Sequence, residues 1–147
     1  MIFKNKNREK GFTLIEIMVV IIILGILASY VAVKLTGQTE DARRTQAKVQ
    51  IETFRTALDL YKLENGSYPS TEQGLQALVR QPEVGKLPRK WRQYLSKIPK
   101  DPWGNEYMYL SPGLNGQEFD ITSYGDDNEP GGEGKDADVN SWEDIQP

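Results

Sequence analysis

The chain of 147 residues contains neither cysteine nor histidine. Without cysteine no disulfide stabilises it, and without both residue types it lacks the usual ligands of zinc sites. The same two absences exclude nucleophilic systems of the Ser-His-Asp and Cys-His kinds. Only carboxylate, lysine or tyrosine chemistry is left for catalysis, so the composition argues against an enzyme.

Charge is distributed unevenly along the chain. Residues 118–147 contain ten acids and one base, a net charge of −9, whereas residues 1–117 contain 17 bases and 11 acids, a net charge of +6. An acidic, glycine-rich stretch is by default a disordered tail, because it repels itself and has little apolar surface to bury. The apolar residues Val139, Trp142 and Ile145 indicate the alternative, in which the tail returns to the core.

One long apolar run begins at Phe12 and continues to Val33, behind a short leader. A helix of this length extends about 33 Å, which is close to the thickness of a bilayer's hydrocarbon core. We therefore predict a transmembrane helix over residues 12–34. The leader carries an excess of positive charge, which assigns it to the cytoplasm and the remainder of the chain to the other side. Its charged residues are Lys4, Lys6, Arg8, Glu9 and Lys10.

A single carboxylate, Glu16, interrupts the apolar run. An acid in a membrane helix costs about 2.5–3.5 kcal/mol on insertion scales, so it usually has a partner and a function. Cutting the chain between Gly11 and Phe12 would create an α-amino cation at the depth of Glu16 in a neighbouring copy. The alternative is an ordinary signal anchor in which Glu16 only snorkels towards the membrane surface or faces a groove. A secretory signal would be cut after its apolar region, whereas this cut precedes it.

The segment KGFTLIEIMVV, residues 10–20, resembles the processing site of type IV pilins and pseudopilins. The resemblance implies that a prepilin peptidase cuts after Gly11, that the new N-terminus of Phe12 is methylated, and that Glu16 acts in assembly. It also implies an α+β, pilin-like fold, in which a long N-terminal helix has a protruding membrane half and packs its other half on a small head. Val33 stands where many members have proline, so the resemblance does not carry over local unwinding at that position.

Beyond the apolar run the hydrophobic residues form a stripe on one helical face. This spacing predicts one continuous helix over residues 12–63, and Asn65-Gly66 is a suitable stop. The stripe consists of Ala47, Ile51, Phe54, Leu58 and Tyr61. The predicted organisation is a cleaved leader (1–11), a transmembrane and assembly helix (12–34), an amphipathic helix packed on the head (35–64), and a periplasmic head (65–147).

The head is predicted to contain a short helix and an antiparallel hairpin. Ser70 or Thr71 caps the helix, which extends over residues 70–79, with Gln73 completing the cap. Residues 106–110 and 118–123 alternate apolar and polar side chains, as two strands that cover the helix would.

Three blocks of the head narrow the resemblance to the major pseudopilin subfamily of type II secretion systems. They are residues 68–78, 99–104 and 120–125, with the sequences YPSTEQGLQAL, PKDPWG and DITSYG. The resemblance implies the major structural subunit of a periplasmic filament that is anchored in the inner membrane and drives export of folded proteins through the outer membrane. The implied partners are further copies in a helical filament, minor pseudopilins, the inner-membrane assembly platform, prepilin peptidase and the membrane, with no nucleic acid.

The acidic tail is a candidate calcium site. If the tail folds, Asp126, Asp127, Asp136 and Asp138 are crowded, and a hard divalent cation would remove their repulsion. Calcium takes carboxylate and carbonyl oxygens and needs neither histidine nor cysteine. The resemblance implies that the ligands are the carboxylates of Asp127, Asp136 and Asp138 and the backbone carbonyl of Tyr124, with Asp126 left out.

A pilus or competence pilin that binds surfaces or DNA is the alternative function. Residues 86–97 combine basic and aromatic side chains, as single-stranded nucleic-acid binders do. The segment is short, Pro88 interrupts it, and the head as a whole is acidic. A third hypothesis, a membrane-anchored periplasmic enzyme, would need convergent acids outside the tail, and the sequence shows none.

Overall fold

The computed structural model describes residues 12–143, except that the side chains of residues 30–38 lie outside the description. A helix, α1 (Leu14–Asn65), is followed by three strands, β1 (Met108–Leu110), β2 (Asp120–Ser123) and β3 (Val139–Asn140). Two short 3-10 helices occupy Leu75–Leu78 and Gly134–Asp136. The predicted leader, residues 1–11, lies outside the described residues.

Helix α1 contains 52 residues and has a recognisable cap at each end. At its start, Glu16 N donates to Thr13 Oγ1 at 3.3 Å and Thr13 N donates to Glu16 Oε2 at 3.4 Å, a reciprocal capping pair. At its end, Gly66 has a φ of +82° and its N–H donates to Lys62 O at 2.7 Å. The predicted continuous helix is therefore confirmed, with both ends two residues further along the chain.

The chain divides between Gln38 and Thr39 into two compact units. Within residues 12–143, no helix has a stretch both long enough and apolar enough to cross a membrane. The predicted span 12–34 reaches into residues 30–38, whose side chains lie outside the description. It therefore stays a prediction.

The core of the second unit is built on the predicted stripe of α1. Its five members are at most 2% exposed: Ala47, Ile51, Phe54, Leu58 and Tyr61. The head covers them with eight further buried hydrophobic side chains: Leu75, Ala77, Leu78, Tyr107, Tyr109, Phe119, Ile121 and Val139. The rings of Phe54 and Tyr107 meet edge to face, with centroids 5.1 Å apart. The stripe is thus confirmed as the packing face of the helix.

The three strands form one antiparallel sheet in the order β1-β2-β3. Tyr109 lies opposite Ile121, and Ser123 lies opposite Val139. The predicted hairpin is confirmed with shorter strands. Strand β3 was not predicted as a strand, because two residues are too few for a periodic pattern, although Val139 was expected to return to the core and is fully buried.

The predicted helix over residues 70–79 is wrong in extent. Only Leu75–Leu78 is helical, and it is a 3-10 helix that follows a turn. Gly74, with a φ of +60°, separates the turn from the 3-10 helix, because a residue with positive φ cannot continue a right-handed helix. The expected capping pair nevertheless forms across the turn: Ser70 N donates to Gln73 Oε1 at 3.0 Å, and Gln73 N donates to Ser70 Oγ at 3.3 Å.

Candidate functional sites: the N-terminal segment and the acidic loop

The N-terminal part of α1 presents apolar side chains around its whole circumference. Every large hydrophobic side chain between Phe12 and Leu27 is at least 46% exposed in the isolated chain. A continuous exposed apolar surface of this kind marks a site of contact with protein or membrane. The segment therefore requires a covering that the single chain does not supply.

Glu16 lies in the first turn of this segment, where its carboxylate faces the N-terminus of its own helix. The hydrogen bond that it accepts from Thr13 is long, at 3.4 Å, and therefore weak. Phe12 is 79% exposed, and Gly11 lies outside the described residues. The cleavage after Gly11, the methylation of Phe12 and the pairing of Glu16 with another copy stay predictions.

The second site is the acidic loop, residues 126–138, which contains six acids and one base. Arg44 of α1 holds its far end, donating to Ala137 O at 2.9 Å and to Asp138 O at 3.2 Å. Asp126 N closes the loop by donating to Lys135 O at 3.0 Å. The disordered-tail alternative does not describe this stretch, because Arg44 anchors the far end of the loop and the loop connects β2 to β3.

Two glycines allow the loop to fold closely on itself. Gly125 and Gly132 have φ values of +66° and +86°. A Cβ on Gly125 would lie 2.8 Å from Lys135 O, and a Cβ on Gly132 would lie 2.6 Å from Asp136 O. Any side chain at these positions would collide with backbone, so glycine is what lets the two sides of the loop meet.

The carboxylates of the loop differ in the hydrogen-bond donors that they have within the chain. Asp136 Oδ1 and Asp138 Oδ1 are buried without a hydrogen-bond donor, whereas Asp138 Oδ2 accepts from Gly131 N at 3.0 Å. Asp127 is exposed and accepts from Glu129 N at 3.1 Å. Buried carboxylate oxygens without a partner are costly, and a hard cation is the ligand that would satisfy them. Two oxygens of the predicted ligand set therefore have the chemistry that calcium prefers.

Lys135 supplies an internal counter-ion to part of the loop. Its Nζ lies 2.6 Å from Asp126 Oδ2 and 3.7 Å from Asp136 Oδ1. The hydrogen bond to Lys135 lowers the pKa of Asp126, and the same bond raises the pKa of Lys135. Asp126 is thus already paired within the chain.

The structure brings the predicted ligands only partly together. Between residues 12 and 143, no three acidic side chains are gathered around a position suited to a metal ion. Asp136 and Asp138 each have one buried oxygen without a hydrogen-bond donor, whereas Asp127 is exposed and Tyr124 is half-buried. The ligand set stays a prediction. Sequence reasoning missed the anchoring by Arg44, because no local pattern joins residues that are far apart in the chain.

Comparison with known proteins relates the chain to one family. The profile described as Type II secretion system (T2SS), protein G, matches residues 34–142, and that of the prokaryotic N-terminal methylation motif matches residues 6–32. The type II secretion system core protein G of Pseudomonas aeruginosa is 49% identical over 140 residues, which cover 94% of this chain and 98% of that protein. Its counterpart in Vibrio cholerae is 48% identical over 141 residues, covering 95% of each.

A solved structure shows the same architecture. The crystal structure of the major pseudopilin from the type 2 secretion system of enterohaemorrhagic Escherichia coli aligns with a TM-score of 0.65 and 40% identity. The alignment covers 74% of this chain and 93% of that chain. The predicted resemblance and the predicted α+β, pilin-like fold are both confirmed.

Proposed function

Because the chain belongs to the type II secretion system protein G family, we propose that it is the major structural subunit of a type II secretion pseudopilus. Similarity across nearly the whole chain carries the proposal. Copies polymerise into a periplasmic filament, and the growing filament drives folded proteins through the outer membrane. The chain acts as a building block in this process and has no catalytic role.

The N-terminal segment anchors the subunit before assembly and joins it to its neighbours afterwards. Its exposed apolar surface supports this dual role, because lipid and other copies of the same helix are equally suited to cover it. The basic leader places the N-terminus in the cytoplasm, so the subunit is a single-pass protein of the inner membrane with its head in the periplasm. In the filament, neighbouring helices take over the covering from lipid.

Processing prepares the segment for assembly. Prepilin peptidase cleaves between Gly11 and Phe12, and the new amino group of Phe12 is methylated. This amine remains a cation, because methylation of an amine does not remove its basicity. The match of residues 6–32 to the N-terminal methylation motif supports the step.

Glu16 then sets the register between subunits. In the single chain its carboxylate has only a long hydrogen bond from Thr13, at 3.4 Å. The Phe12 amine of an adjacent copy offers a charge-assisted bond, which is shorter and about twice as strong as a neutral one. Two charges that are each costly in lipid are thereby paired.

Calcium would bind the acidic loop and stabilise the head. Asp127, Asp136, Asp138 and the carbonyl of Tyr124 would hold the ion, which supplies positive charge and coordination to oxygens that the chain leaves unsatisfied. Arg44 positions the end of the loop, and the glycines allow its two sides to approach. A chelator is expected to lower the melting temperature of the full mature chain in detergent micelles, because a ligand of the folded state stabilises it. An unchanged melting temperature would refute the calcium site.

The remaining partners follow from family membership. Minor pseudopilins, the inner-membrane assembly platform and prepilin peptidase are the proteins that such a subunit would meet before and during polymerisation. We propose no nucleic-acid partner.

Deletion of the gene in its own host tests the function. We expect the deletion strain to retain its exported substrates in the periplasm and to yield no filaments on shearing, and the wild-type gene to restore both. Secretion that is unaffected, combined with lost adhesion or DNA uptake, would instead favour the pilus alternative.

A further inference from the structure

Residues 86–97, here called the basic segment, expose positive charge at one end of the head. The segment contains five bases and no acid. Arg92 pairs with Glu64 at 3.0 Å, whereas the other four bases are exposed and form no ion pair within residues 12–143: Lys86, Arg89, Lys90 and Lys97. These four cations are available to a partner.

The backbone of the basic segment is firmly attached to the head. Four hydrogen bonds fix it: Gln73 Nε2 to Lys86 O (3.0 Å), Lys90 N to Asn65 Oδ1 (3.1 Å), and Tyr94 N (2.9 Å) and Leu95 N (3.0 Å) to Leu78 O. The side chain of Trp91 adds a bond from Nε1 to Ala77 O at 2.8 Å. A surface presented from a fixed backbone loses little entropy on binding. The segment is therefore organised as a docking surface before any partner arrives.

The acidic loop carries the opposite charge at the other end of the same unit. Its six acids and one base give a net charge of −5, against +5 for the basic segment. The loop is bound by Arg44, and the basic segment contacts Glu64 and Asn65. Twenty residues of α-helix separate positions 44 and 64, which corresponds to about 30 Å. The two charged surfaces are too far apart to pair within one molecule.

We propose that the basic segment docks on the acidic loop of a second copy of this chain, so that heads stack end to end along the filament. The inference rests on the proposed function and adds a contact between heads to it. A contact between two different surfaces of one protein does not close on itself, and it propagates into a filament. Complementary charge steers the encounter and fixes its register.

Two acids of the loop remain available for this contact when the loop holds a cation. Glu129 and Glu133 are exposed, lie outside the predicted calcium ligands, and have no ion pair in the described part of the chain. Four unpaired cations on one copy thus meet two unpaired carboxylates on the next. The opposite charge of the two surfaces, both present on every copy, favours a second copy over an unrelated anionic polymer as the occupant.

Charge reversal in the full-length chain, expressed with its secretion machinery, tests the contact. Arg89→Glu with Lys90→Glu, and separately Glu129→Lys with Glu133→Lys, should each lower the yield of sheared filaments about tenfold. Combining all four substitutions should restore most of the yield. The matched control is Arg80→Glu with Lys100→Glu, two exposed bases outside the segment, which should leave the yield unchanged.

Cross-linking gives a readout that does not reverse any charge. The chain has no cysteine, so Lys90→Cys with Glu129→Cys introduces the only two thiols. Oxidation of intact filaments should produce a ladder of disulfide-linked oligomers. The pair Lys100→Cys with Glu129→Cys should produce none.

The outcomes separate this inference from the proposed function. Absence of filaments from the wild-type chain would overturn the function itself. Normal wild-type filaments without the ladder, or a fourfold variant that stays defective, would overturn only the contact between heads. The contact between heads would also be overturned if Arg89→Glu with Lys90→Glu left the filament yield normal but abolished binding of oligothymidylate. That result would assign the basic segment to nucleic acid.

Discussion

Single carboxylates in this protein differ in whether the chain itself satisfies them. Asp101 is buried and fully bonded: Oδ1 accepts from Trp103 N at 3.1 Å and Asn105 N at 2.7 Å, and Oδ2 accepts from Ser123 Oγ at 2.5 Å. Asp138 keeps one buried oxygen without a donor. The first acid stabilises a turn by itself, whereas the second is suited to a partner from outside the chain.

Asp138→Asn is expected to abolish most of the calcium-dependent rise in melting temperature. The amide removes one of the predicted anionic ligands, and calcium selects charged oxygens. Asp126→Asn is the control, since Asp126 is paired with Lys135 and lies outside the predicted ligand set. Calorimetry of both variants, with calcium and with chelator, checks this. A full calcium response in Asp138→Asn would contradict the assignment.

Tyr109 links stability to alkaline pH. Its hydroxyl donates to Pro69 O at 2.9 Å, and burial raises the pKa of Tyr109 to about 12. The unfolded tyrosine has a pKa near 10, so the folded state disfavours the phenolate, and stability that is present below pH ~10 is lost as the pH rises towards about 12. Denaturant unfolding across this range should show the loss.

The control for this pH dependence is Tyr109→Phe. It should cost about 1 kcal/mol at neutral pH through the lost hydrogen bond, and it should lose stability less steeply above pH ~10. Equal slopes for the wild type and the variant would contradict the role of Tyr109.

At the scale of elements, prediction from sequence succeeded where a pattern was long. The stripe from Ala47 to Tyr61 repeats often enough to fix the helix and its buried face, and Asn65-Gly66 marks its end. The 3-10 helix Leu75–Leu78 and strand β3 are too short for a period to be read. The acidic loop was recognised by its charge, but its anchoring by Arg44 depends on tertiary contact and has no local signal.

Gly125 packs so closely against the backbone of residues 135 and 136 that the loop conformation requires glycine at this position. Gly125→Ala is expected to cost about 2–4 kcal/mol of stability, because a left-handed φ and a collision with backbone add together. Gly66→Ala is the matched control: its φ is also positive, but its Cβ would meet nothing within 4 Å, so only about 1 kcal/mol is expected. If urea unfolding showed that both variants lose the same free energy of unfolding, the predicted collision at Gly125 would be contradicted.

At the scale of the whole molecule, function was predictable because it depends on one short segment in fixed register. The leader, Gly11, Phe12 and Glu16 follow one another at set positions, and the blocks of the head narrow the family further. The sequence also revealed the separation of charge. It did not reveal that the two charged surfaces lie at opposite ends of the head, because that follows from the positions on α1 that each one contacts, Arg44 for the loop and Glu64 for the basic segment.

Glu16→Ala is expected to leave cleavage intact while reducing sheared filaments at least about tenfold, because the Phe12 cation of the next subunit then enters lipid or the filament unpaired. Glu9→Ala is the control, since processing removes it. Immunoblots of cell and sheared fractions would separate cleavage from assembly. Filaments of normal yield from Glu16→Ala would contradict the role of this carboxylate.

The central claim is that cleaved copies of this chain polymerise through the segment that begins at Phe12. The most direct measurement is the intact mass of the subunit from purified filaments, together with sequencing of its N-terminal peptide. We predict filaments whose subunit begins at Phe12 with a methylated amino group. Filament subunits that begin at Met1 would contradict the account.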